Sequence, residues 1–305
     1  MDHMSGLTSQ RVPLDLRQQA LSFLLTGQAE IHRSTERIKV FQNWIDTQTL
    51  GSWMYWVRRQ NTPCAAAMIV ETPGRCGLLF HSALNDRCRQ DALALAASAA
   101  TADALAGLAY IQILVDPSCC DQQELLEGCG YRLLAELAYM QMDIGGVVCK
   151  VCDELKWKNF CQFDQQLLES VISATYEDSL DCPALTPLRR MGEVVAAHQA
   201  TGVYRPDRWW ICWKDGKPAG CVLVNDCLSE NRSEIVYLGV TKPFRRMGVG
   251  KALLEQGVFY AKSEQKSVLT LAVDDSNHHA KKLYDNFGFR LTHRRLAYAA
   301  LGKRI

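Results

Sequence analysis

Two stretches of the chain alternate between strand and helix periodicity at close range. Val236, Leu238 and Val240 alternate with Tyr237 and Gly239, a period of two that predicts a strand. Pro243 stops it. Arg245-Arg246-Met247-Gly248-Val249-Gly250 then leads into KALLEQGVFYAK, whose apolar positions recur at helical spacing. Farther on, Val268 to Val273 is a short apolar strand, and Asp274-Asp275-Ser276 offers a turn with N-cap candidates. Ala280, Leu283, Tyr284 and Phe287 share one helical face at i, i+3, i+4 and i+7, with Asn277 on the same face and Gly288 placed to end the helix.

The same reading over the whole chain predicts an α/β (α+β) protein. In the first half it gives helices near 15–25, 34–49, 89–107 and 119–128, and strands near 52–58, 64–71, 76–82, 110–115 and 131–142. The second half reads as strands near 154–161, 208–213, 219–225, 233–240, 267–273 and 289–299, with helices near 164–176, 184–200, 247–262 and 276–287. Asp215-Gly216 between WWICWK and CVLVN signals a hairpin, in which Trp209, Trp210 and Trp213 pack. A linker falls around Gly145-Gly146.

Composition narrows the function classes. A chain of 305 residues has room for two cores, and 48% hydrophobic with 22% charged residues is a globular balance. A net charge of +1 argues against bulk binding to nucleic acid or to an anionic membrane. Ala92 to Tyr110 is alanine-rich and interrupted by Asp103, so it reads as a core helix rather than a membrane span. Residues 1–20 lack the apolar run of a secretory signal. Thirteen cysteines without a zinc-like spacing point to a reducing, cytoplasmic setting; Cys149-x-x-Cys152 is a lone pair, and no metal is expected.

The loop at Arg245–Gly250 has the makings of a pyrophosphate cradle. Glycines permit close backbone approach, the following helix start concentrates unpaired N–H groups, and Arg245, Arg246 and Lys251 add charge. A nucleotide P-loop would need glycine at Arg245 and Ser/Thr at Ala252. A dinucleotide fingerprint would need a third glycine at Leu253. What remains resembles motif A of the GNAT acyltransferase superfamily, [Q/R]-x-x-G-x-[G/A], carried by Arg245 through Gly250. Asn277-x-x-Ala280-x-x-x-Tyr284-x-x-x-Gly288-Phe289 is similar to that family's second hallmark. The resemblance spans roughly residues 154–300.

The first half echoes the second. IQILVDPSCCDQQELLEGCGYRLL from Ile111 aligns without a gap to LTLAVDDSNHHAKKLYDNFGFRLT from Leu269, and GLLFHS from Gly77 falls opposite IVYLGV from Ile235 at the same offset. The chemistry is not repeated: the cradle falls opposite Arg87-Cys88-Arg89-Gln90-Asp91-Ala92, Asn277 opposite Cys119 and Tyr284 opposite Leu126. The chain therefore reads as two GNAT-like domains, each a mixed, mostly antiparallel sheet flanked by helices. Residues 1–150 form a degenerate domain without a cofactor loop, and residues 151–305 the catalytic one. Such a layout is similar to that of mycothiol synthase.

The resemblance implies an N-acetyltransferase that moves an acetyl group from acetyl-CoA to a primary amine by direct attack. Backbone N–H groups of Arg246, Met247, Gly248, Val249, Gly250 and Lys251 would hold the pyrophosphate, with their side chains and Arg245 assisting. The pantetheine arm would run beside Leu238-Gly239-Val240, where Gly239 offers no obstruction, and a splay between strands would free an N–H for the carbonyl. Tyr284 would be the general acid, Asn277 would orient the pantetheine or a water, and Glu234 would be the general base. Asp274, Asp275, His278 and His279 are further titratable groups nearby, the histidines on the exposed side of the helix start. The acceptor is a small-molecule or peptide amine; a peptide would need a groove walled by residues 176–206, where Glu177, Asp178 and Asp181 could draw a cation or simply face solvent. No nucleic acid or membrane partner is expected, and the chain would be a monomer or homodimer. The rival reading is a non-catalytic acyl-CoA-binding or scaffold protein.

Overall fold

Alternating burial along the strands and amphipathic helices build a mixed α/β fold with mostly antiparallel strand pairing. The structure, a computed structural model, describes residues 7–26, 45, 51–84, 87–148, 154–228 and 231–302. The chain groups into two units: one takes residues up to Leu134 together with the segment from Leu296, the other takes Ala135–Arg295. A cut at residue 150 does not coincide with this grouping.

The first unit contains β1 (Ser9–Arg11), α1 (Arg17–Thr26), β2 (Ser52–Arg59), β3 (Thr62–Thr72), β4 (Cys76–His81), α2 (Arg87–Ala104), β5 (Tyr110–Val115) and α3 (Cys120–Gly128). Strands β1 to β4 pair antiparallel in chain order, and β4 pairs parallel with β5. The alanines of α2 explain themselves here. Ala92, Ala96, Ala97, Ala100 and Ala104 are all fully buried, and small side chains let the helix lie close on β2 and β3. The other face of the sheet packs on α1 through Leu21, Leu24, Trp56 and Met68.

The second unit contains most of β6 (Arg132–Asp143), then β7 (Lys156–Asn159), α4 (Gln165–Tyr176), α5 (Met191–Gln199), β8 (Trp209–Lys214), β9 (Lys217–Asp226), β10 (Arg232–Val240), α6 (Val249–Ser263), β11 (Val268–Asp274), α7 (His278–Phe287) and the start of β12 (Arg290–Leu301). Its strand order is β6-β11-β10-β9-β8-β7, antiparallel except for β10 against β11. Helices α6 and α7 cover one face through Leu253, Leu254, Val258 and Tyr284. Helices α4 and α5 cover the other through Leu168, Ile172, Val194 and Val195.

Two strands run across the grouping. Residues Leu137–Asp143 of β6 pair with β11 inside the second unit, whereas Leu296–Leu301 of β12 pair with β5 inside the first.

Most predicted elements fall where the patterns place them. At the hairpin, Asp215 and Gly216 both take positive φ (52° and 76°), the backbone a tight two-residue turn demands. The single helix expected over 184–200 is instead two pieces. Pro183 and Pro187 favour a 3-10 turn over Pro183–Leu188, Arg189 is extended, and α5 begins at Met191. Of the helix expected near 34–49 only Ile45 is described, and the Cys149-x-x-Cys152 pair lies outside the described residues. Trp209 is fully buried and its indole N–H donates to Asn225 Oδ1 (2.8 Å), while Trp210 stacks on Tyr260. Cys212 and Cys221 are buried small hydrophobes. Among the described residues, no helix is long and apolar enough to cross a membrane.

Candidate functional site

The parallel pair at the heart of the second unit comes apart. Strand β10 pairs with β11 only from Arg232↔Val268 to Ile235↔Leu271, yet β10 continues to Val240 and β11 to Asp274. A register shift between Ile235 and Tyr237 on the β9 side marks a bulge where the fork opens. Thr241 N–H donates to Ala219 O on the β9 side, and N–H direction alternates along a strand. The N–H groups of Leu238 and Val240 therefore point the other way, into the fork.

A cavity of about 700 Å³ fills this fork. Its floor includes Leu238, Gly239 and Val240 of β10, and its far wall Asn277, Ala280, Leu283 and Tyr284 of α7. The loop before α6 adds Arg245, Arg246, Gly248, Gly250 and Lys251. Val249 is instead a core residue, Met247 projects outward at 52% exposure, and Glu234 does not line the cavity.

Local backbone explains the loop. Arg246 and Gly248 both adopt left-handed φ (62° and 80°), and Gly248 is the N-cap of α6 without any side-chain cap. The first N–H groups of a 15-residue helix are thus left without a capping side chain, at the positive end of its dipole. Gly250 has a different reason to be glycine: a Cβ there would approach Leu283 Cδ2 of α7 at 3.0 Å. The missing atom lets α6 and α7 meet.

Two residues act otherwise than the sequence suggests. The Arg245 guanidinium donates to the carbonyls of Val240 (3.2 Å), Thr175 (2.9 Å), Glu177 (2.6 Å) and Asp178 (3.2 Å). It ties the loop to the end of α4, and the charge offered to a ligand there rests on exposed Arg246 and Lys251. Gly239 lacks a side chain because a Cβ would lie 2.6 Å from Thr175 Oγ1 and 2.8 Å from the Tyr237 hydroxyl. Those two hydroxyls bond to each other (2.6 Å), beside a His198 ring that burial holds neutral with its pKa lowered to about 4.

Tyr284 is 6% exposed, its ring packs near Phe289, and its hydroxyl has no hydrogen-bond partner among the described residues. Burial, with Asp181 as a weaker contributor, pushes its pKa far above that of a free phenol, so it stays protonated. Asn277 caps α7, its Oδ1 accepting from Ala280 N (3.2 Å), which leaves the amide nitrogen at the cavity. Glu234 sits in the paired part of the fork opposite Thr270, half-buried, with its pKa raised by desolvation.

The neighbouring acids divide by their partners. Asp274 accepts from Ser276 N, Ser276 Oγ and Cys182 N, and so fixes the turn before α7. Asp275 pairs with Lys281 (2.5 Å) and Arg294, which hold its pKa low. His278 and His279 are exposed, and His279 reaches the cavity rim. Of the acids that the sequence places in the 176–206 segment, Asp178 and Asp181 reach the cavity, forming a wall of it with Ser179 and Leu180, whereas Glu177 does not line it. Among the described residues no group of three His, Cys, Asp or Glu side chains is placed to hold a metal ion.

The chain is similar to known proteins in part of its sequence and in its fold. Residues 173–289 match the acetyltransferase (GNAT) family. An uncharacterized N-acetyltransferase of Methanocaldococcus jannaschii is 30% identical over 88 residues, covering 27% of this chain and 39% of the relative. The match thus spans about two fifths of that relative. A GCN5-related N-acetyltransferase from Sphaerobacter thermophilus shares the fold over 100% of this chain and 98% of its own, with TM-score 0.58 at 17% identity. A tandem GNAT protein from the clavulanic acid biosynthesis pathway superposes over 98% of this chain and 99% of its own, with TM-score 0.55 at 12% identity.

Proposed function

Starting from a GNAT-family match over residues 173–289 and a tandem GNAT fold, we propose that the second unit is an N-acyltransferase that transfers an acetyl group from acetyl-CoA to a primary amine. One observation carries this reading. Inward N–H groups of a forked strand, an uncapped helix start and an unpartnered buried phenol open onto a single cavity.

Each part fits one need of the donor. The N–H groups at the start of α6, with Arg246 and Lys251, suit its pyrophosphate. The free edge of β10 suits the amide-bearing arm, which can pair with it as an added strand would. The N–H of Leu238 or Val240 is placed to stabilise negative charge developing on the carbonyl oxygen. Bound donor supplies the activated acyl group. The amine nitrogen bonds to the carbonyl carbon as the carbon–sulfur bond breaks. Tyr284 gives its proton to the departing sulfur, and the amine loses one to a carboxylate. Glu234 can serve that need only through water, since it does not face the cavity.

The test is native mass spectrometry of the full chain titrated with acetyl-CoA, followed by incubation with primary amines. We expect one acetyl-CoA per chain, weakened in Gly248→Val, and acetylated amine as product. Stoichiometric binding without any product would favour an acyl-CoA-binding protein. No binding at near-millimolar acetyl-CoA would overturn the reading.

A further inference from the structure

The wall of the cavity contributed by the loop after α4 contains two carboxylates, Asp178 and Asp181, and they differ in what they hold. Asp178 is paired with Lys242 at 2.8 Å, and this contact lowers its pKa. Among the described residues, Asp181 has no cationic partner within salt-bridge distance. Its Oδ1 accepts one long bond from Asp274 N (3.4 Å), and the rest of its acceptor capacity is open.

We propose that Asp181 is the carboxylate that meets the acceptor's ammonium in this site and takes the proton the amine loses. The inference rests on the acyltransferase reading and deepens it: the acceptor is a primary amine that arrives as a cation, and Glu234 is not the direct base. Tyr284 supplies the independent pointer. Its side chain is buried (6% exposed), its hydroxyl lacks a partner among the described residues, and it lines the same cavity within electrostatic reach of Asp181. A proton donor and a proton acceptor thus face one space, as a transfer that protonates a leaving sulfur and deprotonates an amine requires.

The loop is held for this purpose from two sides. Arg245 binds the carbonyls of Glu177 and Asp178, and Asp274 Oδ2 accepts from Cys182 N (3.1 Å), so Asp181 sits between two anchored points. Asp181 is exposed, so an amine can reach it from solvent; partial desolvation and nearby Asp274 raise its pKa, while its bond from Asp274 N and the charge of Arg189 act the other way. A carboxylate shifted upward is a better proton acceptor near neutral pH than an ordinary aspartate.

The experiment compares wild type, Asp181→Asn, Asp181→Glu and Glu234→Gln with acetyl-CoA and three amines: spermidine, 2-phenylethylamine and a lysine-containing tripeptide. Acetylated product is measured by mass spectrometry and acetyl-CoA affinity by native titration. Asp181→Asn should lower kcat about 100-fold with acetyl-CoA affinity unchanged, and Asp181→Glu should recover part of the loss. Glu234→Gln should cost much less. Turnover of Asp181→Asn within about threefold of wild type overturns the assignment, as does a loss carried by Glu234→Gln instead. If Asp181→Asn loses acetyl-CoA binding and Asp181→Glu recovers nothing, Asp181 is a structural residue and the proposal fails. Wild type that binds acetyl-CoA but acetylates none of the amines fails the acyltransferase reading itself, and this assignment falls with it.

Discussion

The two units contain the same fork, and in the second a cavity opens within it. In the first unit β4 pairs with β5 from Cys76↔Tyr110 to Leu78↔Gln112 and then runs on to His81 while β5 runs to Val115. In the second, β10 and β11 part after Ile235↔Leu271. Beyond the fork the two units diverge. Residues 87–92, opposite the cradle in the sequence repeat, are the first turns of α2, so helix occupies the place of the loop. At the start of α3, Gln122 lies opposite Ala280 in the repeat, and its amide donates to His81 Nε2 (2.6 Å) while His81 Nδ1 donates to Ser82 O (2.7 Å). Burial lowers the His81 pKa, consistent with this neutral ring. The lesson is that the forked strand pair is a property of the fold. The site is a separate addition, made of a left-handed loop and an empty space.

Substitutions can break that comparison at several strengths. Tyr284→Phe should have the largest effect, lowering kcat about 100-fold while acetyl-CoA affinity holds, as steady-state kinetics beside native titration would show. Gly248→Val forces a β-branched residue to φ near 80° and should weaken acetyl-CoA binding by about tenfold or more. Two glycines make a matched pair. A Cβ at Gly77 would lie 2.7 Å from Ile69 Cγ2, and one at Gly239 2.6 Å from Thr175 Oγ1, so Gly77→Ala and Gly239→Ala should each cost about 1–3 kcal/mol in denaturant melts. Only the second should also disturb acetyl-CoA binding. Gln122→Ala, the smallest change, should cost about 1 kcal/mol and leave turnover as it was.

Titration sharpens the same contrast. Tyr284 must be protonated to act, and its pKa is raised, so activity should show no phenolic decline below about pH 10. The base must be deprotonated. Since Asp181 and Glu234 both have raised pKa values, the acidic limb of a kcat profile should lie above the ordinary carboxylate range. A limb at or below that range would separate both groups from the reaction.

Much of the site was legible in the sequence because it is local. The stripe Ala280, Leu283, Tyr284 and Phe287 with its Asn277 cap and Gly288 stop is written in periodicity, and the cap and the left-handed stop appear as read. The glycine loop was legible as a loop. Its internal division was not: Gly248 answers to backbone conformation and Gly250 to a neighbouring helix, a distinction that depends on α7 packing across it. Arg245 reads as charge in sequence but ends on four carbonyls, three of them some seventy residues away. The end of pairing between β10 and β11 has no residue signature, since each strand continues with good strand residues. Asp181 lies in a proline-interrupted segment with no periodicity, so only the fold brings it to the cavity. The repeat itself was read with one fixed offset. The pairing places Cys76 beside Tyr110 and Arg232 beside Val268, so the first strand of the fork is displaced by two residues from that alignment.

The strand that ends the second half of the sequence completes the sheet of the first unit, since Leu296–Leu301 pair with Tyr110–Val115. On a ribosome this reverses the usual order of events. Residues of the first unit emerge early, but the edge of β5 has no antiparallel partner until the segment from Leu296 leaves the exit tunnel. Until then that row of amide groups is open to other chains, a hazard that unpaired edges carry. The unit made first is the unit finished last, and ribosomes stalled shortly before Leu296 should expose a first unit more sensitive to protease than released chains.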